Sequence, residues 1–161
     1  MTEPLPARRL AALEATFRRI ATTRMRGVPV LNAALSVQAV GFGPDPLLTA
    51  ATAAPTMLGV LVTPWCMNLL RLPLQPVDSD TDAADAGLLA PRVAAVRRYG
   101  VHALDFLGAH EPALGAYEQA SLFSPMFAFA DQPAAVATAR EVMRLIRAAV
   151  TAGDVAAREA A

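Results

Sequence analysis

A chain of 161 residues can bury one substantial core, and its 55% apolar content, much of it alanine, comes with only six Phe, two Tyr and one Trp. Its 14 basic residues, all Arg, balance 14 acids, which excludes the basic excess expected of a general nucleic-acid binder. A single cysteine, Cys66, excludes an intrachain disulfide and a cysteine-held zinc or iron–sulfur site, and Gly, Pro, Asn or Thr break every apolar run before membrane-spanning length.

Residues 1–5 are expected to be loose, and Pro6 precedes a helical pattern. Leu10, Leu13, Phe17 and Ile20 recur at spacings of three and four, and Gly27 and Pro29 stop the pattern. Arg8, Arg9, Arg18, Arg19, Arg24 and Arg26 crowd this N-terminal quarter. No continuous apolar core follows them, so the N-terminus does not read as a secretory signal. A cytoplasmic location with no membrane insertion is the expectation.

Leu35, Val37 and Ala39 alternate with their neighbours as in a strand, and Gly41 to Pro46 read as a turn. Met57 to Thr63 form a second strand ending at Pro64, because the residue before a proline is pushed into extended geometry. Trp65 to Asn68 make a tight turn or one helical turn, and Leu69 to Leu72 a short third strand. Residues 74–91 read as a long loop in which Asp78, Asp80, Asp82 and Asp85 crowd together, either a solvated face or a binding element. Val93 to Leu107 have strand character broken near Tyr99-Gly100. His110 to Leu114 form a hairpin connection, and Tyr117 to Phe123 a further strand. Asp131 caps a last helix with Pro133 in its first turn and a stripe of Val136, Ala139, Met143, Ile146 and Val150, fraying near Gly153.

The order helix, strands, helix predicts an α+β fold: a mostly antiparallel sheet packed against an N-terminal and a C-terminal helix, both on one face. A single domain is expected over residues 1–161, with loose ends at about 1–5 and 152–161.

Signals for catalysis are weak. His102 and His110 have no accompanying Cys or His, and only Asp105 lies near them in the strand. Ser121 and Ser124 lie outside any nucleophile-elbow pattern, and Gly41-Phe42-Gly43 lacks the lysine and hydroxyl of a phosphate loop. The aspartates do not follow calcium-loop spacing. No enzyme activity, metal or cofactor is expected.

Two segments stand out: Gly59-Val60-Leu61-Val62-Thr63-Pro64-Trp65-Cys66-Met67-Asn68-Leu69-Leu70 and Gly115-Ala116-Tyr117-Glu118-Gln119-Ala120-Ser121-Leu122-Phe123-Ser124-Pro125-Met126. Each runs from strand-like residues into a proline bracketed by large side chains. In these segments and their order the chain resembles the HybE/HupJ/HoxT-type [NiFe]-hydrogenase assembly chaperones, over roughly residues 8–150. Members often have Cys where this chain has Ala120, so no thiol is required there, and the paired cysteines of relatives fused to a rubredoxin are absent.

The resemblance implies a non-enzymatic chaperone for the small, iron–sulfur subunit of an uptake hydrogenase. It would hold the twin-arginine-signal-bearing precursor until clusters and large-subunit partner are in place, with contacts to the large subunit and other maturation factors also implied. On that footing, Pro64, Trp65, Met67, Phe123, Pro125, Met126 and Phe127 are expected to form one apolar patch for the signal's apolar stretch, and Asp78, Asp80, Asp82 and Asp85 to face its arginines. Trp65 has two readings, an exposed anchor or a buried lock of the turn. The rival functions are a small-ligand-binding protein or hydrolase with a pocket near His102 and Ser121, and a structural subunit of the maturation complex.

Overall fold

The computed structural model describes residues 4–47 and 54–160. Its elements are α1 (Leu5–Thr22), β1 (Gln38–Pro44), β2 (Thr56–Val62), β3 (Met67–Pro73), α2 (Asp80–Asp85), β4 (Ala94–Tyr99), β5 (His102–Glu111), β6 (Gly115–Phe123) and α3 (Gln132–Ala160). The six strands form one sheet in the order β1-β2-β3-β6-β5-β4, every neighbouring pair antiparallel. The α+β architecture with an N-terminal and a C-terminal helix is therefore the one expected from the sequence.

The two helices do not share a face. Leu58, Val60 and Val62 of β2 pack with Val136, Ala139, Met143 and Ile146 of α3, whereas Met57 and Leu61 pack with Leu13, Phe17 and Ile20 of α1. Successive strand residues point to opposite sides, so α1 and α3 cover opposite faces. The continuous apolar runs of β2 and β3 carried this information: a strand buried on both faces does not alternate. All seven residues of β2 are buried.

The sheet is strongly curled. Edge strands β1 and β4 stand five inter-strand spacings apart, about 24 Å on a flat sheet. Yet the Tyr99 hydroxyl at the end of β4 donates to Asp45, just past β1, at 3.1 Å. The two edges approach each other across the face that holds α3, and α3 packs against β1, β2 and β4.

Three local readings change. Gly41 to Pro46 is not a turn: β1 continues to Pro44 through a bulge that sets Gly41 and Phe42 against Gly59. Gly41 supplies the positive φ of 70°, and Gly59 leaves room for the Phe42 ring, which a Cβ at that position would strike. The acidic loop contains α2, where the Ser79 hydroxyl caps the helix by accepting from the Asp82 amide at 3.0 Å. The last helix starts as expected, with the Ala134 amide donating to Asp131 Oδ1 at 2.9 Å, but runs through Gly153 to Ala160. A single glycine costs a helix about 1 kcal/mol, which the surrounding alanines tolerate.

Candidate partner-binding site

The first distinctive segment crosses from β2 to β3 through a tight turn. The Thr63 amide donates to the Cys66 carbonyl at 2.9 Å. The Thr63 hydroxyl donates to the same carbonyl at 2.9 Å and accepts from the amides of Cys66 at 2.9 Å and Trp65 at 3.2 Å. One hydroxyl thus bonds three backbone groups of the turn and also lies 3.4 Å from Cys66 Sγ, with Pro64 pre-setting the turn's second position. The turn lays Trp65 on the α1 face, half-buried, with its ring stacked on Phe17 at 6.4 Å between centroids. Trp65 therefore satisfies neither extreme expected of it. Cys66 is buried, and burial pushes its thiol pKa up against a smaller opposing effect of the Thr63 hydrogen bond.

The second segment ends beside the first, because Met67 pairs directly with Phe123. The register skips Leu122 there, a bulge that turns Phe123 onto Phe129, edge to face at 5.1 Å, on the α3 side. The Ser124–Pro125 peptide is cis. Phe123 is 38% exposed, Phe127 is 59% exposed, and Pro125 is exposed.

The single apolar patch expected from the sequence is thus divided. The strand ends meet, but Trp65 belongs to the α1 cluster, and Phe123 packs on the α3 cluster. Met67 and Met126 are wholly buried in that second cluster, so they support the loop from beneath and offer no surface to a partner. The sheet's alternation and the bulge decide these directions, and neither is readable from proline spacing.

Asp78, Asp80, Asp82 and Asp85 are exposed, and none makes an ion pair among the described residues. Their segment is pinned at the start of β6, where the Ala116 amide donates to the Val77 carbonyl at 2.7 Å. Phe123 lies seven residues along the same strand, about 23 Å away. The acidic and apolar elements therefore sit toward opposite ends of the sheet.

His102 is exposed at the rim of an apolar hollow of about 130 Å³ formed with Leu104, Leu122, Val142, Leu145 and Ile146. Ser121 is exposed and does not line it. Among the described residues no group of three His, Cys, Asp or Glu side chains is placed to hold a metal ion.

Two polar arrangements escaped the sequence reading. One is a buried ionic cluster on the concave face. Arg71 donates through Nε to Asp45 at 2.7 Å and through Nη1 to Glu118 at 2.8 Å, and Arg97 Nη2 donates to Glu118 at 2.8 Å. Thr56 and Tyr99 hydroxyls and the amides of Leu47 and Leu89 complete the two carboxylates. Burial alone would raise the Asp45 pKa, but Arg71 and these hydrogen bonds hold it below its usual value. The same surroundings push Tyr99 up, burial first and then the Asp45 charge. The available signal was a lone Arg inside Leu69–Leu72 and a lone Glu inside Gly115–Ala120, since charges fully buried in strands are rare without partners. The other arrangement is Asn32, whose backbone amide donates to Pro64 O at 2.8 Å and whose side chain donates to Met126 O at 3.0 Å and Phe129 O at 2.9 Å. Nothing in its sequence neighbourhood marked it.

The helix-flanked, curled antiparallel sheet carries these two motifs in a chain whose family is that of hydrogenase maturation factors. Residues 8–161 match the family described as "[NiFe]-hydrogenase assembly, chaperone, HybE", and the chain belongs to it. It is similar to Protein HoxT of Cupriavidus necator, 46% identical over 87% of this chain and 76% of that protein. It is also similar to the hydrogenase expression/formation protein HupT of Azotobacter chroococcum, 39% identical over 84% of this chain and 79% of that protein. A third relative, the probable rubredoxin HupJ of Rhodobacter capsulatus, is 37% identical over 83% of this chain but only 43% of its own length. No solved structure matches the chain. No helix among the described residues is long and apolar enough to cross a membrane.

Proposed function

We propose that this chain is a non-enzymatic chaperone that binds the twin-arginine-signal-bearing small-subunit precursor of a [NiFe] uptake hydrogenase in the cytoplasm and delays its export until cofactor insertion and subunit assembly. The observation that carries this reading is the exposure of Phe123, Pro125 and Phe127 where the two motifs meet, in a chain with few aromatics. Exposed aromatics beside a rigid proline are typical anchors of a protein interface, because they bury large area at low entropic cost. The rim of the Phe17–Trp65 stack, on the other face at the same end, is a secondary contact.

The Asp78–Asp85 segment is the complementary site for basic residues of the precursor. A peptide touching both elements would have to span about 23 Å, on the order of seven extended residues. The large subunit and other maturation factors remain further candidate partners through the same end of the sheet.

The test is co-purification with the small-subunit precursor, with and without its signal peptide. Capture that needs the signal supports the export-delaying reading, and capture of both forms places recognition on the subunit body. Phe127→Ala should leave stability within about 0.5 kcal/mol, as expected for a surface position, while capture is lost. Undiminished capture by that variant would remove Phe127 and its loop from the binding site.

A further inference from the structure

We propose that Asn32 is a positioning residue of this interaction surface: it locks the Thr63–Cys66 turn and the Ser124–Phe129 loop into one preformed unit. This inference rests on the reading that this end of the sheet meets the partner.

The strand ladders stop short of the two proline segments. Pairing of β2 with β3 ends at Val62 and Met67, and pairing of β3 with β6 ends at Met67 and Phe123. Beyond them each segment is held by bonds within itself: Thr63 to Cys66 in one, and the Phe129 amide to Met126 O at 3.2 Å in the other. Asn32 reaches both. It belongs to neither segment and sits in the connection between α1 and β1. Its backbone amide holds the first through Pro64 O, and its two side-chain N–H groups hold the second through Met126 O and Phe129 O.

Its remaining side-chain atom is also used. Oδ1 accepts from the Ala34 amide at 3.0 Å, which fixes the orientation of the amide group and aims both N–H groups at the loop. The backbone on either side is turned to present it, with the Leu31 amide donating to Val28 O and the Leu35 amide to Asn32 O. Only an amide of this length meets the demand for two donors and one acceptor. Aspartate would set a carboxylate against two carbonyl oxygens, and leucine of similar shape would take the side-chain donor from Phe129 O and leave Met126 O only the Phe129 amide.

The consequence is on binding rather than on the core. Phe123 and Phe127 flank Met126, whose carbonyl Asn32 holds, so the tie fixes how the exposed aromatics stand relative to the Pro64 turn. A loop ordered in advance loses less entropy when a partner docks. Freeing it costs affinity without removing any group the partner touches.

The experiment compares Asn32→Ala and Asn32→Leu with Leu114→Ala in the full chain. Leu114 is wholly buried at the opposite end of β6 and serves as a destabilising control. Binding of the signal-bearing small-subunit precursor is measured by titration, and amide exchange is followed at Trp65, Cys66 and Phe129. Asn32→Ala is expected to weaken binding about tenfold, equivalent to the net loss of one to two hydrogen bonds, and to speed exchange at Phe129, while Trp65 and Cys66, in the turn held by the backbone amide that the variant keeps, exchange as in the parent. Leu114→Ala, at an equal or larger loss of melting temperature, should bind as the parent does. Parent-like affinity in both Asn32 variants, or a loss matched by Leu114→Ala at equal destabilisation, would overturn the positioning role. Phe127→Ala separates the two failures: if it abolishes binding while the Asn32 variants do not, the surface stands and the tie is wrong. If Phe127→Ala binds normally as well, the surface itself is wrong.

Discussion

The concave face and the motif end of the sheet handle polarity in opposite ways. On the concave face Asp45, Arg71, Glu118 and Arg97 place two negative and two positive charges together, and every carboxylate oxygen has at least two donors. At the motif end a neutral amide and a hydroxyl do the tying, and Phe123, Pro125 and Phe127 are left in solvent. Carboxylates supplied with donors on both oxygens are committed to the fold. An end tied by neutral groups and fringed with exposed aromatics keeps its apolar area available.

The largest effect expected from breaking this contrast is at Arg71. Arg71→Ala leaves Asp45 and Glu118 buried with the cation between them gone, and should cost about 3–5 kcal/mol in urea unfolding. The triple variant Arg71→Met, Asp45→Asn, Glu118→Gln removes the charges together and should recover a large part of that loss. If Arg71→Ala unfolds like the parent, the cluster is not what holds the curled edges.

Trp65→Ala probes the motif end. A fully buried Trp costs about 3–5 kcal/mol on truncation, so a half-buried ring stacked on one Phe should cost about 2 kcal/mol and leave the chain folded. A loss at the top of the buried range would assign Trp65 wholly to the α1 cluster, whereas no loss at all would make it a free anchor.

Acid separates the two regions without mutation. The Asp45 pKa lies below its ordinary value of 3.8 when folded, so its stabilisation is complete above that value and is lost as pH falls through the depressed one. At the other limit Cys66 and Tyr99 have raised pKa values. Their contribution is complete below their ordinary values of 9.0 and 10.0 and is lost as pH rises beyond them. Thermal unfolding should therefore show a plateau between about pH 4 and 9, and Asp45→Asn should flatten its acid edge.

The smallest expected effect is at the acidic segment. Replacing Asp78, Asp80, Asp82 and Asp85 by Asn should shift stability within about 1 kcal/mol, mostly through weaker charge at the N-terminus of α2. Precursor binding should lose its salt dependence in this variant. An unchanged salt profile would assign the aspartates to solvation alone.

Much of the architecture was legible because it is local. The 3.6-residue stripes of Leu10–Ile20 and Val136–Ile146, the Asp131 cap and the strand of residues 57–63 depend on neighbours a few positions apart, and each appears where the pattern placed it. The two motifs identified the family for the same reason: their residues are contiguous. Tertiary structure alone decided what those residues face. The faces of α1 and α3, the burial of Met67 and Met126, the division of the patch and the about 23 Å between aspartates and aromatics all follow from sheet order, curl and one bulge. Asn32 and the Asp45–Arg71–Glu118–Arg97 cluster are assembled from segments far apart in the chain, and hydrogen bonds across such separations leave no periodic trace in a single sequence.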